Sequence, residues 1–121
     1  MTDIEQKHAA MVASLMKPPE AVHAAITVPQ AGLIHATMGI SGEAGELLDA
    51  VKKHVIYQKP IDIANVIEEL GDLEFYLCEF RSKLRITRAA TLEANMAKLA
   101  KRYPNYQYTD QRAQERADKA V

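Results

Sequence analysis

From Asp62 to Leu84 the apolar residues Ile63, Val66, Ile67, Leu70, Leu73, Leu77, Phe80 and Leu84 recur at steps of three or four. That period gathers them on one side of an α-helix and would scatter them over both faces of a strand. A long amphipathic helix follows, with Asp62 as its N-cap. No segment of the chain sustains a period of two, so the fold class expected is all-α.

The remaining helices read by the same logic. Thr2 and Glu5 have capping-box spacing, and Ile4, Met11, Val12, Leu15 and Met16 share one face until Pro18-Pro19 ends it. Glu20 to Ile26 allows a short helix, with Thr27-Val28 extended before Pro29. Pro29 suits the first turn of a long helix carrying Leu33, Ile40, Leu47, Val51 and Val55, broken at Tyr57-Gln-Lys-Pro60. Thr87 caps the last, whose stripe is Leu92, Met96, Leu99 and Tyr103 before Pro104. Residues 110–121 alternate charges with small residues and are expected as a frayed or partner-docked tail to one domain over residues 1–109.

Composition removes several functions. A chain of 121 residues supports one core, and 15 Lys+Arg against 16 Asp+Glu give a net charge of -1, so no overall basic field recruits nucleic acid or an anionic membrane. No apolar run approaches the roughly 20 residues needed to span a bilayer, and the opening Met-Thr-Asp-Ile-Glu is unlike a secretory signal. The expectation is a cytoplasmic protein. The lone Cys78 excludes an internal disulfide and is expected in the core. His8, His23, His35 and His54 lack zinc-hydrolase spacing, although His35 and Met38 lie upstream of the first acidic motif, where a nucleobase or ordinary packing would suit them.

Chemistry concentrates in two short segments, Glu43-Ala-Gly-Glu46 and Glu69-Leu-Gly-Asp72, each placing two carboxylates on neighbouring helical turns. Counting from Leu70 at about 100° per residue, Glu69, Asp72 and Tyr76 border the apolar stripe, and Glu68 falls on the opposite flank. Both motifs carry a glycine just before the last carboxylate, at Gly45 and Gly71, and a helix-interior glycine calls for a reason such as close approach or a bend. If the two helices form an antiparallel hairpin, the four acids converge, and their mutual repulsion is relieved by a hard divalent cation with oxygen ligands, Mg²⁺ or Mn²⁺. The alternative is a solvated acidic face balanced by Lys52, Lys53 and Lys59.

The ordered set EAGELLDAVKK, EELGDLEFYL and NMAKLAKRYP, with 22 residues between Glu46 and Glu69, resembles the MazG-type nucleoside triphosphate pyrophosphohydrolases of the all-α NTP pyrophosphatase superfamily over about residues 30–104. The resemblance implies a helical bundle assembled as a homodimer or homotetramer, cleaving nucleoside triphosphates to monophosphate and pyrophosphate with Mg²⁺. Glu43, Glu46, Glu69 and Asp72 would then be the metal ligands and catalytic acids, one of them accepting the proton of the attacking water at the α-phosphorus. Tyr76 matches a position that contacts nucleotide or phosphate, and Asn95, Lys98 and Arg102 match polar positions near the substrate phosphates. Phosphoribosyl-ATP pyrophosphohydrolase shares the superfamily and is the second enzyme reading; a catalytically silent helical interaction module is the third.

Charge runs in the same direction. Residues 41–74 hold eight acids and three bases, residues 75–102 seven bases and two acids, so an acidic cradle precedes a basic segment. Asn95, Lys98 and Arg102 share one helical face opposite Leu92, Met96 and Leu99, which suits either phosphate binding or plain solvation. The apolar stripes are wider than one small partner helix covers, and Phe75 and Val121 lie outside them, so a homo-oligomer is expected.

Overall fold

The computed structural model describes residues 1–119, which are helical and contain no strand. Val121 lies outside the described residues. The chain divides into two compact units, Met1–Ala31 and Gly32–Val121.

In the first unit, α1 (Asp3–Leu15) starts at a full capping box: Thr2 Oγ1 accepts from the Glu5 N–H at 3.3 Å, and the Glu5 carboxylate accepts from the Thr2 N–H at 2.5 Å. Pro18 and Pro19 then open α2 (Pro19–Ala25), as a proline can in a first turn whose N–H groups lack intrahelical acceptors. The extended residue after α2 is Ile26. Thr27, expected to be extended with Val28, instead caps the next helix, exchanging bonds with Gln30 at 2.9 and 3.3 Å. Every residue of this unit is exposed.

The second unit is built on α3 (Val28–Val55) and α4 (Ile63–Leu84). Their connection is fixed by polar bonds. His54 Nδ1 donates to the Lys59 carbonyl oxygen at 2.7 Å, Gln58 takes a left-handed φ of 53°, and Asp62 accepts from the Asn65 N–H at 3.0 Å as the N-cap of α4. Gly32 of α3 lies against Lys83 of α4, Gly39 against Tyr76, and Glu43 beside Glu69 and Asp72.

The packed faces differ from the expected ones in a physically telling way. On α4 the half-buried side chains are Asn65, Val66, Glu69, Leu73, Tyr76, Leu77, Phe80 and Arg81, so the face turned inward is rotated from Leu70 toward the acids. Ile63, Ile67 and Leu70 stay 57%, 64% and 45% exposed. The broad stripe thus splits into an inner row and an outer row, because one neighbouring helix covers only part of it. Among the described residues only Ala36 and Ala50 are fully buried, and Cys78, expected in the core, is exposed.

After α4 the chain turns at Arg85, in the left-handed region, and Thr87 caps α5 (Arg88–Arg102) by accepting from the Ala90 N–H at 3.0 Å. A 3₁₀ turn at Pro104–Tyr106 follows, then α6 (Asp110–Glu115), capped by Thr109 at 3.1 Å from the Arg112 N–H, and a last 3₁₀ turn at Ala117–Lys119. Of residues 110–121, expected as a frayed or partner-docked tail, Asp110–Glu115 and Ala117–Lys119 are helical and fold back on α5, and residues 120–121 lie outside the described residues. Arg102 Nε and Nη2 donate to the two carboxylate oxygens of Asp118 at 2.5 and 3.0 Å, and Tyr103 and Tyr108 lie 5.6 Å apart between ring centroids. Polar caps and one charge pair hold a segment that has little apolar surface to bury.

Candidate functional site

Glu43 of α3 and Glu69 and Asp72 of α4 each offer a carboxylate oxygen within 4.8 Å of the others. Residues 69 and 72 sit on successive turns of one helix, and residue 43 of α3 lies beside them. Glu43 and Glu69 are half-buried and Asp72 is exposed. The cluster shows its repulsion in Glu69, whose carboxyl is pushed above the usual glutamate range. Partial burial is the largest cause, followed by a hydrogen bond with Glu43 and the negative charges of Glu43, Glu46 and Asp72. Glu46 is therefore near enough to be felt, although it stands outside the close triad and is exposed. Glu68 is exposed and belongs to no such group.

Among the described residues no ion pair joins the triad to a cation: Lys53 pairs with Asp49 at 2.9 Å, and the Lys52 ammonium lies 5.7 Å from the ring centre of Tyr57. A donor set made only of carboxylate oxygens, gathered this closely, fits a hard divalent cation.

One turn beyond Asp72, Tyr76 is seated in a notch of α3: a β-carbon at Gly39 would collide with its ring. Phe75 packs edge-on to Tyr76 at 5.1 Å and His35 stands 6.2 Å away, in a cleft of about 310 Å³ that also includes Gly32, Glu79 and Lys83. Met38 is 69% exposed and does not line this cleft. Of the glycines in the acidic motifs, Gly45 and Gly71 have open space where a side chain would go, so the close approach expected there is found at Gly39 instead.

The basic segment is arranged differently from the acids. Asn95 and Lys98 are exposed on α5. Arg102 is engaged by Asp118, with side chains only 17% and 2% exposed. The bidentate bond holds the Asp118 carboxyl down at about 2, against the opposing effect of its burial. Asp118 was hidden from sequence reasoning because it lies 16 residues from its partner. A second cleft, of about 500 Å³, is lined by Ala50, Lys53, Lys59, Pro60, Asp62 and Asn65. Its signal in the sequence is the placement of Lys53 seven residues, two turns, after Glu46.

Residues 34–107 match the family model described as MazG nucleotide pyrophosphohydrolase domain. The "Gene 37 protein" of Mycobacterium phage L5 is 35% identical over 77 residues, a match covering 59% of this chain. The chain spans 66% of the length of that relative. No solved structure matches. The matched region contains all four acids, Tyr76 and the greater part of α3, α4 and α5, and the chain belongs to the MazG nucleotide pyrophosphohydrolase family.

Proposed function

We propose that the protein hydrolyses nucleoside triphosphates to monophosphate and pyrophosphate with Mg²⁺, for which Mn²⁺ can substitute. The observation that carries this reading is the gathering of Glu43, Glu69 and Asp72 within 4.8 Å, with Glu69 pushed up by partial burial and then by its acidic neighbours. These three, with Glu46 beside them, are the residues that would hold the cation. When bound, it supplies Lewis-acid polarisation of phosphate oxygens and neutralises charge on the polyphosphate.

The chain's own groups do the rest. Glu46, outside the triad but within reach of its field, suits the role of base for the water that attacks the α-phosphorus. Tyr76, Phe75 and His35 offer ring faces and edges to the nucleoside in a cleft that begins one turn from Asp72.

We read α3 and α4 as an antiparallel pair that forms half of a bundle completed by a second copy, in a homodimer or homotetramer. The exposed row Ile63, Ile67 and Leu70 supports this: covering the half of each side chain still exposed is worth about 1 kcal/mol or somewhat more, and a lone chain leaves that unrealised. In the assembly the exposed α5 face bearing Asn95 and Lys98 supplies donors to the phosphates. No helix of the described residues is long and apolar enough to cross a membrane, and we place the protein in the cytoplasm, with neither nucleic acid nor membrane as its partner.

A pyrophosphate-release assay across dNTPs, NTPs and phosphoribosyl-ATP, with and without Mg²⁺, tests the reading. Mg²⁺-dependent release from at least one nucleoside triphosphate is expected. Release from phosphoribosyl-ATP alone moves the assignment to that enzyme, and no release from any substrate with Mg²⁺ or Mn²⁺ contradicts catalysis.

A further inference from the structure

The acids of α3 and α4 lie between two clefts of different chemistry. Toward Gly32 is the aromatic cleft of His35, Phe75 and Tyr76. Toward the α3–α4 connection is the cleft that Lys53, Lys59, Asp62 and Asn65 line with Ala50 and Pro60. Ala50 follows Glu46 by four residues and Asn65 precedes Glu69 by four, so this second cleft begins about one helical turn, ~6 Å, from the acids.

Its cations are poorly committed. Lys53 pairs with Asp49 at 2.9 Å, but both side chains are about half exposed, and a pair of that kind holds its members weakly. Lys59 makes no ion pair with a carboxylate among the described residues. The backbone that carries it is fixed by the His54 bond, so only its side chain has to move. Asp62 is the one carboxylate in the cleft, and its Oδ1 is occupied by the Asn65 N–H. Lys52 is directed elsewhere, toward Tyr57.

Elsewhere Lys83 pairs with Glu79 at 3.3 Å in the aromatic cleft, about as exposed a pair as Lys53 with Asp49, while Arg102 gives its Nε and Nη2 donors to Asp118. A triphosphate brings more negative charge than a divalent cation offsets, and the remainder needs ammonium or guanidinium donors.

We propose that the Lys53–Lys59 cleft binds the β,γ-pyrophosphate end of the nucleotide, so that the substrate lies along α3 and α4 with its base toward Tyr76 and its terminal phosphates toward the connection. The proposal rests on the reading of the acids as a nucleotide site, and it adds a direction and two phosphate ligands. The two lysines are substrate-binding groups; they take no part in bond cleavage, and pyrophosphate, once released, occupies the same cleft.

The test compares wild type with Lys53→Ala/Lys59→Ala, Lys53→Arg/Lys59→Arg and the control Lys52→Ala, with helical circular dichroism confirming each fold. Two readouts are taken: steady-state hydrolysis, and calorimetric binding of inorganic pyrophosphate in the presence of Mg²⁺. In the double alanine variant, KM for the triphosphate and the Kd for pyrophosphate should each rise about tenfold or more, while kcat changes less than about threefold and nucleoside monophosphate affinity is unchanged. The double arginine variant should recover most of the loss, and Lys52→Ala should behave as wild type. Pyrophosphate affinity that is absent in wild type, unchanged in the double alanine variant, or lowered equally by Lys52→Ala overturns the proposal. Calorimetry needs no turnover. Lysine-dependent pyrophosphate binding by a wild type that cleaves no nucleotide would therefore support this subsite while contradicting the hydrolase reading.

Discussion

The ring of Tyr76 on α4 fills the space that a β-carbon at residue 39 of α3 would take. One glycine thus sets where the aromatic side chain beside the acids can sit. Gly39→Ala must push Tyr76 aside and should lower the melting temperature and raise KM for nucleotide. Gly45→Ala and Gly71→Ala meet nothing in the chain and replace a poor helix former, a gain of up to about 1 kcal/mol each. Thermal denaturation of the three variants checks this, and a Gly39→Ala protein as stable as wild type would show that the notch is not needed.

The outer apolar row of α4 gives a prediction about assembly. Ile67 is 64% exposed in the single chain, so Ile67→Glu should leave helix content intact while dissociating the homo-oligomer. Sedimentation at micromolar concentration should show wild type larger than one chain and the variant smaller than wild type. A wild-type monomer under those conditions contradicts the bundle completed by a second copy.

The pair of Arg102 and Asp118 should make docking of the tail depend on acid. The Asp118 carboxyl is held at about 2 in the folded chain, below its ordinary 3.8. A lowered value means that the stabilisation is complete above the ordinary value and is lost as pH falls through the folded one. Side-chain NMR of Arg102 Nε–H should therefore report an intact contact at neutral pH and its loss between about pH 4 and 2. Asp118→Asn removes the charge at every pH and should speed tryptic cleavage after Arg112 and Arg116 several-fold, as for a segment whose local opening has become easier. An equally slow cleavage of both proteins would mean that the pair does not hold the tail.

How much of this was legible beforehand follows from the range of each interaction. Thr2, Asp62 and Thr87 were readable as caps because a capping side chain bonds a backbone N–H two or three residues on. Thr27 was masked by the proline two residues later, which argued for extended backbone when Pro29 in fact falls in the first turn of α3. The inward placement of Glu69 over Glu68 was accessible from helical angles alone, but the centre of the packed face was not. A stripe broad enough for two neighbours does not say which part the first neighbour covers, and that neighbour lies nearer Leu73 and Tyr76 than Leu70. The engagement of Arg102 by Asp118 depends on a fold-back at Tyr103–Arg116, including left-handed turns at Asn105, Tyr106 and Arg116, that no periodicity announces.

The most direct test of the account is Mg²⁺-dependent pyrophosphate release by Glu69→Gln beside Glu68→Gln, with circular dichroism for both. Glutamine keeps the size of the side chain and removes the charge that a hard cation requires. The half-buried Glu69 variant should lose about a hundredfold or more of its activity with its helices intact, and the exposed Glu68 variant should stay within about threefold of wild type. Full activity in Glu69→Gln, or equal loss in both, would contradict the carboxylate site described for α3 and α4.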